Sequence, residues 1–161
     1  MKQLSLALAL IALAVAAPAA PAQRIPTGPG PAIAGSATSN QLPEQARKFL
    51  EKHYRNVAVT KIEREFAAGT YEVDLADGTD IEFDSTGKVK EIDSSDRGPA
   101  LSKDVVKAVL PHKAYKRIEA AGQAANVDEI DYERGVYTIK TRSVKRQKYG
   151  YDVTADTWMM Y

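Results

Sequence analysis

The chain has 161 residues, with 22 Lys and Arg against 21 Asp and Glu and no cysteine. A formal charge of +1 gives no global argument for a nucleic-acid or membrane-surface partner. Without cysteine there is no disulfide scaffold, so the core must hold by packing alone.

One Lys precedes a mostly apolar run from Leu4 to Ala17, followed by small residues and Ala20-Pro21-Ala22. This pattern predicts a secretory signal peptide over residues 1–22, cleaved after Ala22, with a run too short for a comfortable membrane span. The protein is therefore expected in the periplasm or outside the cell. Residues 23–40 are rich in Pro, Gly, Ser, Thr and Ala and read as a flexible linker. Residues 41–161 are long enough for one self-supporting domain.

Leu42-Pro43-Glu44 opens a helix, with Ala46, Phe49, Leu50 and Tyr54 on one face. Residues 56–65 (NVAVTKIERE) read as a first strand, turned by Ala67-Ala68-Gly69. In YEVDLADGTDIEFD (71–84) apolar and acidic residues alternate on both sides of a turn. A two-residue turn at Asp77-Gly78 would set Leu75 opposite Asp80. A three-residue loop, Ala76-Asp77-Gly78, sets Val73 opposite Ile81 and Tyr71 opposite Phe83, keeping the apolar side chains together, and this register is expected. The next turn, Ser85-Thr86-Gly87, places Asp84 across from Lys88 and Glu82 across from Lys90. Ile92 then falls on the wrong face unless a bulge intervenes.

After SSDRGPA (94–100), Ser102 caps a second helix that carries Val105, Val106 and Val109. Pro111 interrupts it, and helical spacing resumes through Tyr115 and Ile118 to Gly122. Four further strand-like segments follow, in which Tyr137 and Ile139 echo Tyr71 and Val73, and Tyr151-Asp152 echoes Phe83-Asp84. The expected fold class is α+β: two tandem units, 41–96 and 99–161, each a helix plus a four-stranded antiparallel meander, with the helices on one face of a curved sheet.

LPEQARKFLEKHY, IERE and YEVDLADGTDIEFDSTGKVKEI, then AAGQAANVDEIDYERGVYTIK and YGYDVTADTWM, resemble the PepSY and PepSY-like families. VTADTW is similar to the family's V-D-A-x-T-G strand–turn, departing at Thr154 and Trp158. The resemblance implies an architecture like the secreted β-lactamase inhibitor protein, without that protein's disulfides. It also implies an exported, non-enzymatic protein that binds other proteins, with peptidase inhibition proposed for some members.

The residues themselves support little chemistry. Asp74, Asp77, Gly78 and Asp80 fail the spacing of a calcium loop, in which Gly stands sixth. No sequence feature desolvates one carboxylate of the acidic row, so an acid–base pair has no support. His53 and His112 read as residues near helix C-termini. The basic run Arg142 to Lys148 beside Tyr149 and Tyr151 could stack on single-stranded nucleic acid, but export argues against that partner.

The acidic row therefore reads as the wet face of a sheet. Glu72, Asp74, Asp80, Glu82 and Asp84 are expected on the side away from the helices, with Lys140, Arg142 and Lys148 in the corresponding places of the second unit. That face is the candidate partner-binding surface, with Trp158 and Tyr161 as aromatic anchors and no cofactor or metal. The partner is expected to be a protein of the cell envelope. The alternative is a calcium-responsive or ligand-sensing module, and the protein itself is expected to be a monomer or weak dimer.

Overall fold

The computed structural model describes residues 41–142 and 146–161; the leader expected over residues 1–22 and the linker over 23–40 lie outside them. The order is α1 (Glu44–His53), β1 (Val59–Glu65), β2 (Thr70–Leu75), β3 (Asp80–Phe83) and β4 (Val89–Asp93). There follow α2 (Lys103–Val109), α3 (His112–Ala120), β5 (Val127–Glu133), β6 (Val136–Thr141), β7 (Lys148–Asp152) and β8 (Thr157–Met160). All eight strands form one antiparallel sheet in chain order, β1 to β8.

The apolar alternation sets the registers. Val73 pairs with Ile81 and Tyr71 with Phe83, the three-residue-loop register, with Gly78 at φ 84°. Between β3 and β4 the pairing runs Phe83–Val89 and then Glu82–Glu91, so one extra residue, Lys90, is inserted. That bulge returns Ile92 to the buried side opposite Ile81. The second half repeats the pattern, Tyr137 against Tyr151 and Ile139 against Tyr149.

The core lies between the helices and one face of the sheet. Phe83, Ile81, Ile92, Ile118, Ile130 and Ile139 are its largest fully buried side chains. α1 covers the first strands: Phe49 meets Phe83 edge-on at 5.9 Å. The Ser102 side chain accepts the Val105 N–H at 3.2 Å and starts α2. Pro111 separates the helices, so His112 opens α3 at its N-terminal end, a correction to its expected place near a helix C-terminus. Proline at the N-cap starts a new helix at the next residue, where the sequence pattern shows only an interruption.

The last turn answers the Thr154 and Trp158 departures. Asp152 pairs with Thr157, leaving four residues between them, and Asp156 takes a left-handed φ of 51°. In the first half Gly87 holds that conformation at φ 89°; Asp tolerates it better than most side chains do.

Candidate functional site

The face opposite the helices carries two rows of side chains, each following directly paired residues across the sheet. One row runs Glu63–Glu72–Glu82–Glu91–Asp131 from β1 to β5. The other runs Lys61–Asp74–Asp80–Asp93–Glu129–Lys140–Lys148 from β1 to β7. Carboxylates stand opposite carboxylates at four successive pairings in the first row and three in the second. Such pairs destabilise a sheet by a few tenths of a kcal/mol each, up to about 1.

Cations partly compensate. Lys90, thrown out by the bulge, reaches Glu82 at 2.8 Å, and Lys61 lies 3.6 Å from Glu72. Lys140 pairs with Glu129. Even so, several acids are held above their ordinary range. Burial, then the neighbouring Asp74 charge, raises Asp80. Burial, then Asp131, raises Glu91, and burial, then Glu129, raises Asp93. Burial, then Glu133, raises Asp131. These four carboxyls therefore bind protons more readily than free carboxylates do.

The acids extend further than the alternation in 71–84 indicates. Glu63, Glu91, Asp93, Glu129 and Asp131 belong to the face as much as Glu72, Asp74, Asp80 and Glu82. The boundary between acidic and basic surface thus falls between β5 and β6, not between the two halves of the domain. The signal was present in KVKEID and VDEIDYE, but reading it needs the bulges in β4 and β5.

Several expected members stand elsewhere. Asp84 lies in the β3–β4 turn, its carboxylate accepting the N–H groups of Thr86 at 2.8 Å and Lys88 at 3.0 Å. Lys88 does stand across from Asp84, its carbonyl accepting the Asp84 N–H at 2.9 Å, but its ammonium sits over the Tyr132 ring at 4.6 Å. Arg142 turns into the connection between β4 and α2. Its guanidinium donates to the carbonyls of Ser94, Ser95 and Gly98 and to the Ser94 hydroxyl. Lys148 is on the open face, over the Tyr161 ring at 5.5 Å. Trp158 lies on the helix side, stacked on Tyr149 at 5.3 Å, while Tyr161 is exposed beside Gly150.

At the β1 end the acidic rows border a groove of about 680 Å³ whose lining includes Glu63, Glu72, Asp80, Glu82, Glu91 and Asp93, together with Arg64 and Phe66. Phe66 is 80 % exposed, with the Arg64 guanidinium 4.7 Å above its ring. The groove offers a charged floor and one apolar contact. Among the described residues no group of three or more His, Asp or Glu is disposed to hold a metal ion. None of their helices is long and apolar enough to cross a membrane.

Helices on one side of an eight-stranded antiparallel sheet, with a charged face left open on the other, define an α+β module whose available surface is the sheet itself. The chain belongs to the PepSY-like family: the family model described as "Putative beta-lactamase-inhibitor-like, PepSY-like" matches residues 34–91 and again 69–157. No curated protein matches the sequence. Among solved structures, a putative periplasmic protein of unknown function from Bacteroides vulgatus aligns with TM-score 0.58 at 24 % identity, over 76 % of this chain and 93 % of its own. A protein from Bacteroides thetaiotaomicron described as a putative calcium-regulated periplasmic protein aligns with TM-score 0.57 at 22 % identity, over 74 % of this chain and 89 % of its own. At such identities the likeness establishes the fold.

Proposed function

We propose that this is an exported, non-enzymatic binding module of the cell envelope, built of two tandem units (41–96 and 99–161) and released from its leader after Ala22. Its open sheet face docks a protein partner. The observation that carries this reading is the run of directly opposed carboxylates from β1 to β5. Folding gains nothing from it, and a surface kept against stability is one that serves binding. The complementary partner presents a cationic surface of similar breadth, with an apolar side chain to meet Phe66. The family's inhibitor-like description favours inhibition or shielding of an envelope peptidase.

The test is capture from envelope extract on the immobilised chain from Gln23 onward, beside a variant carrying Asp74→Lys, Asp80→Lys and Glu82→Lys. A partner retained by the native face, released as ionic strength shortens the Debye length from about 10 Å, and lost by the variant supports docking; its peptidase activity is then measured with and without the protein. Equal capture by both proteins overturns the reading.

A second reading, a calcium-responsive module, draws on the same carboxylates and on the description of the Bacteroides thetaiotaomicron protein. It requires melting temperature to rise in millimolar calcium and not in equal magnesium.

A further inference from the structure

The open sheet has two edges among the described residues, and they are built differently. β1 carries Lys61, Glu63, Arg64 and Glu65 and is bulged between Val59 and Lys61. Charge and a bulge are the usual means of keeping an edge from pairing. β8 reads Thr-Trp-Met-Met, with no charge, no proline and no register shift against β7. Of the four large hydrophobic residues exposed among the described residues, three (Val153, Met160 and Tyr161) belong to the β7–β8 turn and the end of β8. Met160 and Tyr161 are each 69 % exposed.

The phase of the backbone decides what β8 can accept. The Tyr161 N–H donates to the Lys148 carbonyl at 2.9 Å. In an antiparallel ladder alternate residues bond to the same neighbour, so Thr157, Met159 and Tyr161 are satisfied by β7. The N–H and C=O groups of Trp158 and Met160 point outward.

We propose that β8 pairs with β8 of a second copy, antiparallel about a two-fold axis through Met159. In that register Trp158 lies opposite Met160 of the second copy, and each such pair exchanges both main-chain hydrogen bonds. All outward groups of both strands are then used. A shift of two residues toward the β7–β8 turn brings Asp156, in its left-handed turn conformation, into the pairing and breaks one of the two exchanges.

Side chains agree with this register. On the helix side, Met160 of one copy covers Trp158 of the other and extends the Tyr149–Trp158 stack. On the open side, Met159 meets its own counterpart and Tyr161 meets Thr157. Behind Tyr161 stands Lys148, and behind Thr157 stands Asp152, so a cation of one copy and an anion of the other bracket each end of the seam. The use of every outward group in one self-complementary register, closed by the two-fold axis, favours a second copy over a foreign strand. The product is one sheet of eight strands from each copy, with only the charged β1 edges outermost.

So short a seam belongs to the small, transient class of interfaces, with dissociation on the order of 100 µM. Sedimentation equilibrium of the protein in its exported form, from micromolar to millimolar loading, should show mass rising from one copy to two. Met160→Pro removes only an outward N–H, and Met159→Lys sets two ammonium groups face to face on the axis; each should weaken association at least tenfold. Glu65→Lys on β1 should leave it unchanged. The chain has no cysteine, so Met159→Cys alone should give a disulfide-linked dimer on mild oxidation, since opposed residues at a non-hydrogen-bonded pair lie about 4.5 Å apart at Cα. A wild type that stays monomeric at millimolar loading overturns the proposal, including one that binds an added strand-forming peptide at this edge. So does a dimer that survives both β8 substitutions or is lost with Glu65→Lys. If Met160→Pro fails to fold, Met159→Lys and the Met159→Cys cross-link decide.

Discussion

Asp80 and Asp93 face each other directly across β3 and β4, with Asp74 on the far side of Asp80 and Glu129 on the far side of Asp93. Four carboxylates thus stand in line on adjacent strands, and the nearest cations in the row, Lys61 and Lys140, lie at its ends. The arrangement is a property of the sheet, because these residues come from four separate strands.

Neutralising a carboxylate inside this line should stabilise the fold. Asp80→Asn or Asp93→Asn is expected to raise unfolding free energy by roughly 0.2–1 kcal/mol at pH 7, the scale of one cross-strand repulsion. Urea denaturation reads it, and a loss of stability would show that the acids are supported by contacts other than those seen. The same variants should bind the cationic partner more weakly, separating stability from function.

Stability should also depend on pH in a definite sense. Asp80, Glu91, Asp93 and Asp131 are raised from ordinary values of 3.8 for Asp and 4.5 for Glu. A carboxyl with a raised folded pKa contributes stability fully below its unfolded value and loses it as pH rises through the folded pKa. Asp84 and Asp156 act in the opposite sense. At Asp84 burial pushes upward, but hydrogen bonds from Thr86, Lys88 and Gly87 together outweigh it and hold it down. At Asp156 the Lys113 ammonium and then the Tyr151 hydroxyl lower it. Their contribution is present above 3.8 and lost as pH falls through their folded values. Melting temperature should therefore peak in the mildly acidic range just above the ordinary carboxylate values, fall toward neutrality, and fall again below 3.8. A monotonic rise to pH 7 would contradict the opposed-carboxylate account.

Gly87→Ala should be among the most damaging small substitutions. Gly87 has φ 89°, and an added Cβ would stand 2.7 Å from the Ala46 nitrogen and 2.9 Å from Pro43 Cβ. Backbone strain of this kind costs about 1–3 kcal/mol, and here the first turn of α1 must also move away from the β3–β4 turn. Gly69→Ala is the comparison: its φ is 70° with nothing within 4 Å of the new Cβ, so it carries the strain without the collision. Equal losses at the two sites would mean that α1 yields freely.

Arg142→Ala should destabilise by about 2–3 kcal/mol, the scale of charged hydrogen bonds withdrawn from half-buried carbonyls. Arg142→Lys should recover only part of that, because one ammonium cannot span the carbonyls of Ser94, Ser95 and Gly98 as the planar fork does. Partner capture should be little changed by Arg142→Lys, since the side chain faces the β4–α2 connection and not the open sheet.

Much of this protein follows from local sequence. Alternation at 71–84 determined which loop joins β2 and β3, because a one-residue slip would turn every apolar side chain outward. Ser102 determined where α2 begins, and Pro111 that the helix is interrupted there. The family likeness lay in the strand–turn segments, and the sequence by itself carried the α+β class and an acidic open face.

The tertiary structure decided how far that face extends and what stands on it. A bulge adds one residue to one strand only against a particular neighbour, so whether Lys90 and Ile92 point in or out depends on β3 as well as on β4. The acidic surface passes into β5 only because β4 and β5 are neighbours, joining Glu91 to Asp131 and Asp93 to Glu129, the latter pair across the 35 intervening residues from 94 to 128. Arg142 reads as an open-face cation until the chain folds and brings the carbonyls of 94–98 within reach of its guanidinium. Side-chain period is a local property of backbone geometry, whereas charge opposition, edge exposure and reach across a connection arise only when strands distant in sequence lie side by side.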